Sequence, residues 1–353
     1  MALRVIQWAT GSVGKAAVDC IIKHPELELV GCWVHSKDKH GKDVGEIVGT
    51  GPLGVTASSN MDEILALDAD AVVYTPLMGS VDEVAALLLS GKNVVSPVGW
   101  FYPPERQAER LGPACAEGGT SLHGTGIHPG GVTETFSLML SAMSSAVTFV
   151  RVEEFSDIRT YGAPDVVRHI MFFGGTREEA EHGPMLKMMT GLFTQSLDMV
   201  LRTLGLADRA QVRTVHGIAV ATAPIDSPIG PIEPGRVAGQ RFHWEAVVDG
   251  EVVVRIGVNW LMGEENLDPA WTLGGERYEI EVKGNPDAFV TIKGWQPETV
   301  EEGLVSNPGV VATAAHCVNS VPYVCAAPPG IVTSLELPLV AGRAHPDLLG
   351  RGG

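Results

Sequence analysis

Two polar side chains in the first half of the chain have the types and positions to handle a proton. Glu105 ends the segment VGWFYPPE, shortly after an apolar run, and His128 lies in the segment GIHPG. A carboxylate or an imidazole can act as acid or base in a reaction that moves one proton, and a carboxylate can also bind an ammonium group. Each has a simpler interpretation, Glu105 as an acid in the first turn of a helix and His128 as a turn histidine bonded to nearby backbone.

Further candidates lie downstream of these two. The segment DIRTYGAPDVVRHIMFFGG contains Tyr161, His169 and Phe173, where Tyr161 is either a hydrogen-bond donor to a ligand or an ordinary loop tyrosine. Glu134 stands in VTETFSLML, where a helix cap is the simpler interpretation, although an acid one turn into a helix could bind an ammonium group.

A glycine-bearing turn opens the chain. The apolar strand RVIQW runs into ATGSVG, and the helical segment AAVDCII follows. A glycine at position 11 lets the backbone approach a pyrophosphate, a glycine at position 14 lets helix and strand pack closely, and the helix N-terminus offers N–H groups to the anion. Ala9 replaces the first glycine of the usual fingerprint, and an ordinary tight turn is the alternative. We predict dinucleotide binding by Thr10, Gly11, Ser12, Val13 and Gly14.

The second strand predicts which dinucleotide is bound. NAD-preferring proteins of this type carry an acid at the end of that strand to bind the ribose 2′-hydroxyl. This strand runs into a hydroxyl and several cations, which suit a 2′-phosphate, although the acids Asp38 and Asp43 also permit a plain solvated loop. NADP(H) is therefore favoured, NAD(H) remains possible, and the predicted contacts are His35, Ser36, Lys37 and Lys39.

Two later strands end in residues expected beside the same cofactor. Thr75 and Pro76 follow the fourth strand, and Pro97 and Val98 follow the fifth. Ligands of open parallel sheets lie beyond the carboxyl ends of the strands, which places both pairs near the dinucleotide. The prolines can equally be plain strand terminators.

Composition limits the partners. The 353 residues are 45% hydrophobic and 19% charged, which is typical of a compact soluble protein with more than one domain. A net charge of −17 argues against nucleic acid and anionic membranes as partners. No apolar run of membrane-spanning length or signal peptide is evident, so we expect a cytoplasmic protein. Five scattered cysteines without C-x-x-C spacing predict reduced thiols and no metal site.

The order of elements predicts an α/β protein with two domains. Apolar strands alternate with amphipathic helices at first, as in an N-terminal Rossmann-type domain with a parallel sheet. Long alternating strands then predict a second α+β domain built on a mixed or antiparallel sheet. We place the dinucleotide-binding domain at 1–141 plus about 305–335, the substrate and dimerisation domain at 142–304, and a C-terminal tail at 336–353. The late helix is assigned to the first domain by analogy with two-domain dehydrogenases.

Several motifs together resemble one family. WATGSVG, DAVVYTP, GKNVVSPV, GTGIHPGG and ATAAHCVNSVPYVCAAPPGIVT are similar to the 2,4-diaminopentanoate dehydrogenase and native amine dehydrogenase family, which is related to dihydrodipicolinate reductase. The resemblance implies NAD(P)-dependent deamination of a small amine, or amination of a ketone, by a homodimer. It also implies that Tyr161, His169 and Phe173 line the substrate pocket and that Asn319 bonds the nicotinamide carboxamide.

The chain departs from this family at one position. Characterised amine dehydrogenases of the group use a carboxylate just after the fifth strand, whereas here positions 98–104 hold no acid and Glu105 is the nearest. Two alternatives therefore stay open: an NADP-dependent carbonyl or ring reductase with His128 as acid, and an NADP-binding protein without catalysis. Dihydrodipicolinate reductase itself is disfavoured, because its histidine- and lysine-rich loop is absent from 156–170.

Overall fold

The structure is a computed structural model that describes residues 2–348, so residues 349–353 of the predicted tail lie outside the described residues. The chain divides into two compact units. The first contains the described residues up to Gly130 together with those from Val310 onward, and the second is Gly131–Gly309.

The first unit is built from alternating strands and helices. Its strands are β1 (Leu3–Trp8), β2 (Leu27–Trp33), β3 (Ala57–Ser58), β4 (Ala71–Tyr74), β5 (Asn93–Ser96) and β6 (Ser121–Gly124). Its helices are α1 (Ser12–Lys23), α2 (Val44–Val48), α3 (Met61–Ala66), α4 (Val81–Leu89) and α5 (Glu105–Gly118). Side chains cap α3 and α4, where Asn60 accepts from the N–H of Asp62 and Ser80 accepts from that of Glu83.

The second unit contains a mixed sheet and five α-helices within the described residues. The helices are α6 (Ser137–Ser141), α7 (Pro164–His169), α8 (Arg177–His182), α9 (Pro184–Thr203) and α10 (Val300–Val305). The strands are β7 (Phe149–Asp157), β8 (Gln211–Ala221), β9 (Val237–Val248), β10 (Glu251–Leu261), β11 (Leu267–Asp268), β12 (Arg277–Lys283) and β13 (Ala288–Ile292). Their order is β11-β8-β9-β10-β7-β12-β13, and the pair β10–β7 is parallel while its neighbours are antiparallel.

Helix α9 covers one face of this second sheet. Helix α9 packs on the covered face, where Phe193 stacks on Trp244 with ring centroids 4.2 Å apart and Thr190 Oγ1 accepts from Trp244 Nε1 at 3.0 Å. The register pairs Trp244 with Ile256 and Ile256 with Val152, so all three lie on the covered face. Because side chains alternate along a strand, Glu154 of β7 lies on this face as well.

The chain then returns to the first unit through α11 (Pro308–Ala326) and β14 (Gly330–Ile331). β14 pairs with β6, and the first sheet has the all-parallel order β14-β6-β5-β4-β1-β2-β3. The predicted fold class, a Rossmann-type parallel sheet followed by a mixed-sheet domain, is therefore confirmed. Cys317, Val318 and Val321 of α11 join the apolar core beneath this sheet.

One stretch requires a correction of the hydropathy analysis. Residues Val300–Ala326 have the length and composition of a membrane-spanning helix. In the structure this stretch is two helices, because Ser306 and Asn307 interrupt it between α10 and α11. The buried core positions of α11 are those expected of a core helix in a globular unit.

The division between the units differs from the predicted boundaries at 141/142 and 304/305. The segment Gly131–Phe136 forms a π-helix, rather than the start of the predicted α-helix, and it packs with α6 against α9, β7 and β12. Helix α10 packs so closely on the short turn Ile158–Thr160 that a Cβ on Gly303 would lie 2.2 Å from the carbonyl oxygen of Thr160. Both segments are thereby held in the second unit.

Candidate functional site

The glycine turn has one position where packing requires glycine. A Cβ added at Gly14 would lie 2.2 Å from the carbonyl oxygen of Ala9, closer than any real contact. Ala9 itself has a φ of 72°, the left-handed conformation that glycine adopts more easily. The side chain of Gln7 holds this carbonyl, with Nε2 donating to the oxygen of Ala9 at 2.9 Å. Close packing of α1 on the end of β1 therefore depends on Gly14.

Gly11 is different, because the protein itself does not require a glycine there. Its φ is −72°, which any residue adopts, and a Cβ at this position would meet no protein atom within 4 Å. Gly11 is the N-cap of α1, no side chain caps that helix, and its first turn holds no acid. Open space in front of an uncapped helix N-terminus fits a pyrophosphate. The predicted turn residues thus leave open space beside Gly11 at the N-terminus of α1.

The basic loop after β2 contacts this turn through one residue. Lys39 Nζ donates to Thr10 Oγ1 at 2.9 Å, which fixes an ammonium group beside the glycine turn. His35, Ser36 and Lys37 are exposed, and Ser36 caps the short turn that follows by accepting from the N–H of Asp38. Asp43 accepts from three backbone N–H groups, which hold its pKa below the ordinary range. This carboxylate is therefore occupied by hydrogen bonds within the protein.

Hydrogen bonds tie the neighbouring strand ends together. Thr75 Oγ1 accepts from Gln7 Nε2 at 2.8 Å and donates to the carbonyl of Trp8 at 3.0 Å. Ser96 Oγ donates to the carbonyl of Tyr74, and its own carbonyl accepts from the N–H of Thr125. Pro76, Pro97 and Val98 are partly buried just beyond these strand ends. The predicted cofactor residues that follow β1, β4 and β5 therefore lie at the carboxyl-terminal ends of these strands.

His316 lies beside Thr125, just beyond the carboxyl-terminal end of β6, and the sequence analysis did not select it. Its Nδ1 is 2.8 Å from Thr125 Oγ1, and burial lowers its pKa, so the ring is neutral near neutral pH. His128 is half-buried in the turn that Ile127 and Gly130 close. A lone histidine in the apolar helical stretch AAHCV was the available signal, but this stretch was used only as part of a family motif.

Two other predicted site residues of the first unit, Glu105 and Asn319, lie on helices α5 and α11. Glu105 is exposed and is the first residue of α5, the position expected of an acid that stabilises a helix N-terminus. Asn319 is partly buried, and its Nδ2 is 3.7 Å from where a Cβ on Gly342 would stand. The amide thus lies near the C-terminal segment.

The predicted pocket residues of the second unit differ in their exposure. Phe173 is fully buried in the core, and His169 is exposed at the end of α7. Tyr161 follows the turn Ile158–Thr160 and keeps 37% of its surface exposed. Glu134 is only 1% exposed and accepts a hydrogen bond from the hydroxyl of Ser196, so it is a buried acid and not the exposed helix cap that the sequence suggested.

A carboxylate that the sequence analysis did not select stands on the covered face of the second sheet. Glu154 Oε1 accepts from Trp260 Nε1 at 3.0 Å and from Ser156 Oγ at 2.9 Å. Burial raises the pKa of Glu154 in spite of these two donors. Tyr278 is its partner across the β7–β12 pair. The signal was present in VRVEEF, where alternation puts Glu154 on the same face as Val150 and Val152.

A second acid with a raised pKa lies near Glu154. Burial raises the pKa of Glu276 to about 7, and the charges of Asp157 and Glu154 add to this, although the N–H of Asp157 donates to Glu276 Oε1 at 2.7 Å. Arg159 pairs with Asp157 and leaves Glu154 and Glu276 without a salt bridge among the described residues.

The raised pKa of Glu276 makes the stability of the protein pH-dependent. Since the folded-state pKa of about 7 exceeds the ordinary 4.5, the folded protein holds more protons than the unfolded chain between these values. Stability is therefore lost as the pH rises through this window. We expect Glu276→Gln to raise the free energy of unfolding at about pH 8 by about 1–2 kcal/mol, allowing for solvent screening, and to have a smaller effect at about pH 5. Urea unfolding at both pH values tests this, and an equal effect at both would contradict it.

Other reactive groups are few in the part of the chain that is described. No three His, Cys, Asp or Glu side chains are grouped to hold a metal ion among residues 2–348. All five cysteines are free thiols, and burial raises the pKa of each, for example of Cys115 to about 11.

Models of known protein families match both parts of the chain. Residues 132–345 match the family model of the 2,4-diaminopentanoate dehydrogenase C-terminal domain, and residues 5–99 match that of the dihydrodipicolinate reductase N-terminus. An amine dehydrogenase from Streptomyces virginiae is 29% identical over 96% of each chain. The 2,4-diaminopentanoate dehydrogenase of Acetoanaerobium sticklandii is 24% identical over 96% of this chain and 94% of its own.

A solved structure shares the fold. The amine dehydrogenase from Mycobacterium smegmatis superposes with a TM-score of 0.77, at 22% identity, over 97% of this chain and 98% of its own. At this identity the match supports the architecture of both units.

Proposed function

We propose, from the premise that this chain belongs to the 2,4-diaminopentanoate dehydrogenase family, that it is an NAD(P)-dependent amine dehydrogenase. The proposed reaction converts an ammonium substrate, water and the oxidised cofactor into a ketone, ammonium, the reduced cofactor and a proton, and it is reversible. The nicotinamide supplies hydride transfer when bound. The protein must bind and orient the amine, exclude water from the hydride path and move one proton.

The glycine turn is the observation that carries this proposal. Gly14 is required by the packing of α1 on β1, whereas Gly11 faces open space at an uncapped helix N-terminus. A turn that only connected a strand to a helix would need the first feature and not the second. The second unit supplies the family match on which the amine chemistry rests.

NADP(H) is the proposed preference, with NAD(H) as a weaker alternative. The support is the position of Lys39, whose ammonium group bonds Thr10 in the turn, together with the commitment of Asp43 to backbone N–H groups. A fixed cation favours a 2′-phosphate, and no carboxylate of this loop is left to bind a ribose hydroxyl except the exposed Asp38.

The test is a set of aliphatic, cyclic and aryl ketones incubated with the purified protein and NADPH, with and without ammonium. Ketone-dependent oxidation of NADPH that requires ammonium is the expected result. Equal rates without ammonium would indicate a carbonyl reductase instead. Tight NADPH binding without turnover of any substrate, in either direction, would indicate a binding protein.

We further propose that two copies associate through the charged face of the second sheet, opposite α9. Residues of both signs alternate there, with Arg151 paired to Glu279 and Glu281, and Arg255 paired to Glu245. Such a face can complement a second copy of itself. Sedimentation is expected to show a dimer that weakens as salt is added, and a monomer at low salt would contradict this.

The free thiols support a reducing compartment such as the cytoplasm.

A further inference from the structure

Glu154 occupies a position where the sheet would otherwise bury an apolar side chain. Val150 and Val152 precede it on the covered face of β7, and its register partners are Val258 of β10 and Tyr278 of β12. A carboxylate among apolar neighbours costs free energy unless it is paired or has another use. None of the salt bridges of the described residues includes Glu154, so its charge is not explained by the fold.

The orientation of this carboxylate is fixed from one side only. Trp260 Nε1 and Ser156 Oγ both donate to Oε1. The other oxygen, Oε2, accepts no hydrogen bond from the described residues, and the side chain keeps part of its surface accessible. Oε1 is therefore held in place by two donors, whereas Oε2 is available to a donor group on a ligand.

Several aromatic residues lie near Glu154, beginning with its donor Trp260. Tyr278 lies across the strand pair from it, and Trp295 meets Tyr278 edge to face with centroids 5.9 Å apart. Enclosure and the charge of Glu154 both raise the pKa of Tyr161, although 37% of that residue remains exposed. A carboxylate with aromatic residues nearby is a combination that can bind an ammonium group, since the acid pairs with the cation and aromatic rings attract it.

The charges nearby favour a cation over an anion. The charges of Asp157 and Glu154 both raise the pKa of Glu276, and the guanidinium of Arg159, which would attract an anion, is paired with Asp157. A substrate that carries a carboxylate next to its amine would bring a further negative charge to this region. The surroundings thus favour a simple amine over an amino acid.

We propose that Glu154 binds the ammonium group of the substrate through Oε2 and accepts its proton, and that the substrates are primary amines on apolar or aromatic groups without an adjacent carboxylate. This inference rests on the proposed amine dehydrogenase function. It assigns the amine-binding role to the second unit, whereas Glu105 is exposed on the first.

Glu154 takes one proton from the ammonium group and so frees the nitrogen lone pair. A bound oxidised nicotinamide would then accept both electrons of the C–H bond as hydride, which would leave an iminium on the substrate. Water adds to its carbon and the C–N bond breaks, which gives ketone and ammonium. The proton held by Glu154 leaves to solvent and restores the carboxylate.

The test is Glu154→Gln, which keeps an oxygen acceptor for Trp260 and Ser156 and removes the charge. We expect kcat/KM for an alkyl amine to fall at least about 100-fold while the Kd of the cofactor is unchanged. Glu154→Asp, which keeps the charge, should recover part of that loss. The matched control is Glu251→Gln, the same change at an exposed position of the same unit, which should match the wild type.

Calorimetric binding of an alkylammonium ion separates this inference from the proposed function. Loss of that binding in Glu154→Gln, with unfolding midpoint retained, supports the subsite even if no amine is turned over by the wild type. Turnover by the wild type that Glu154→Gln retains within about threefold overturns it. Equal kcat/KM for an amine and its carboxylated analogue would overturn the proposed substrate class.

Discussion

Gly14→Ala is expected to lower the free energy of unfolding by about 3 kcal/mol or more and to abolish dinucleotide binding. The added Cβ would stand 2.2 Å from the carbonyl oxygen of Ala9, a backbone atom, and the position of the Cβ is itself fixed by the backbone of residue 14. A flexible side chain cannot relieve this contact, so α1 must move away from β1. That movement displaces the helix N-terminus from the site of the pyrophosphate. Chemical denaturation and cofactor titration measure the two effects.

Gly11→Ala is the matched variant, because it makes the same change three residues earlier. Its Cβ would meet no protein atom and its φ of −72° suits alanine, so stability should stay within about 0.5 kcal/mol of the wild type. Cofactor affinity should still fall at least about tenfold, because the methyl group occupies the space that the pyrophosphate needs. If both variants bound the cofactor as the wild type does, the assignment of this turn would be wrong.

Lys39→Glu is expected to reverse the cofactor preference. The ammonium group that bonds Thr10 is replaced by a carboxylate, which repels a 2′-phosphate and can accept a hydrogen bond from a 2′-hydroxyl. We expect the Kd of NADPH to rise about 100-fold and that of NADH to stay the same or fall. Fluorescence titration with each nucleotide measures both constants.

Lys187→Glu controls for the change in net charge. Lys187 is exposed on α9 of the second unit, so the same substitution there alters the long-range field without touching the loop after β2. It should leave the ratio of the two Kd values unchanged. A similar loss of NADPH affinity in both variants would attribute the preference to overall charge and contradict a local phosphate site.

Local patterns were sufficient to predict the first unit from sequence. The glycine turn and the apolar strands that alternate with helices each depend on neighbours in the chain, and the structure has them where the patterns put them. The unit boundary was harder, because the π-helix from Gly131 to Phe136 belongs to the second unit through packing that sequence does not display.

The candidate site was only partly predictable, because side-chain partners are distant in the chain. His316 meets Thr125 across 191 positions, and Glu154 meets Trp260 across 106. Proximity to the strand end drew attention to Glu105, but a helix begins there and leaves it exposed. The more informative signal was a carboxylate on the apolar face of a strand, at Glu154.

The most direct test of amine dehydrogenase activity is the origin of the nitrogen in the product. The protein would be incubated with NADPH, an apolar ketone and isotopically labelled ammonium, and the product analysed by mass spectrometry. We predict a primary amine that carries the label, formed in equal amount to the NADPH oxidised. An alcohol, or oxidation of NADPH without incorporation of the label, would contradict the account.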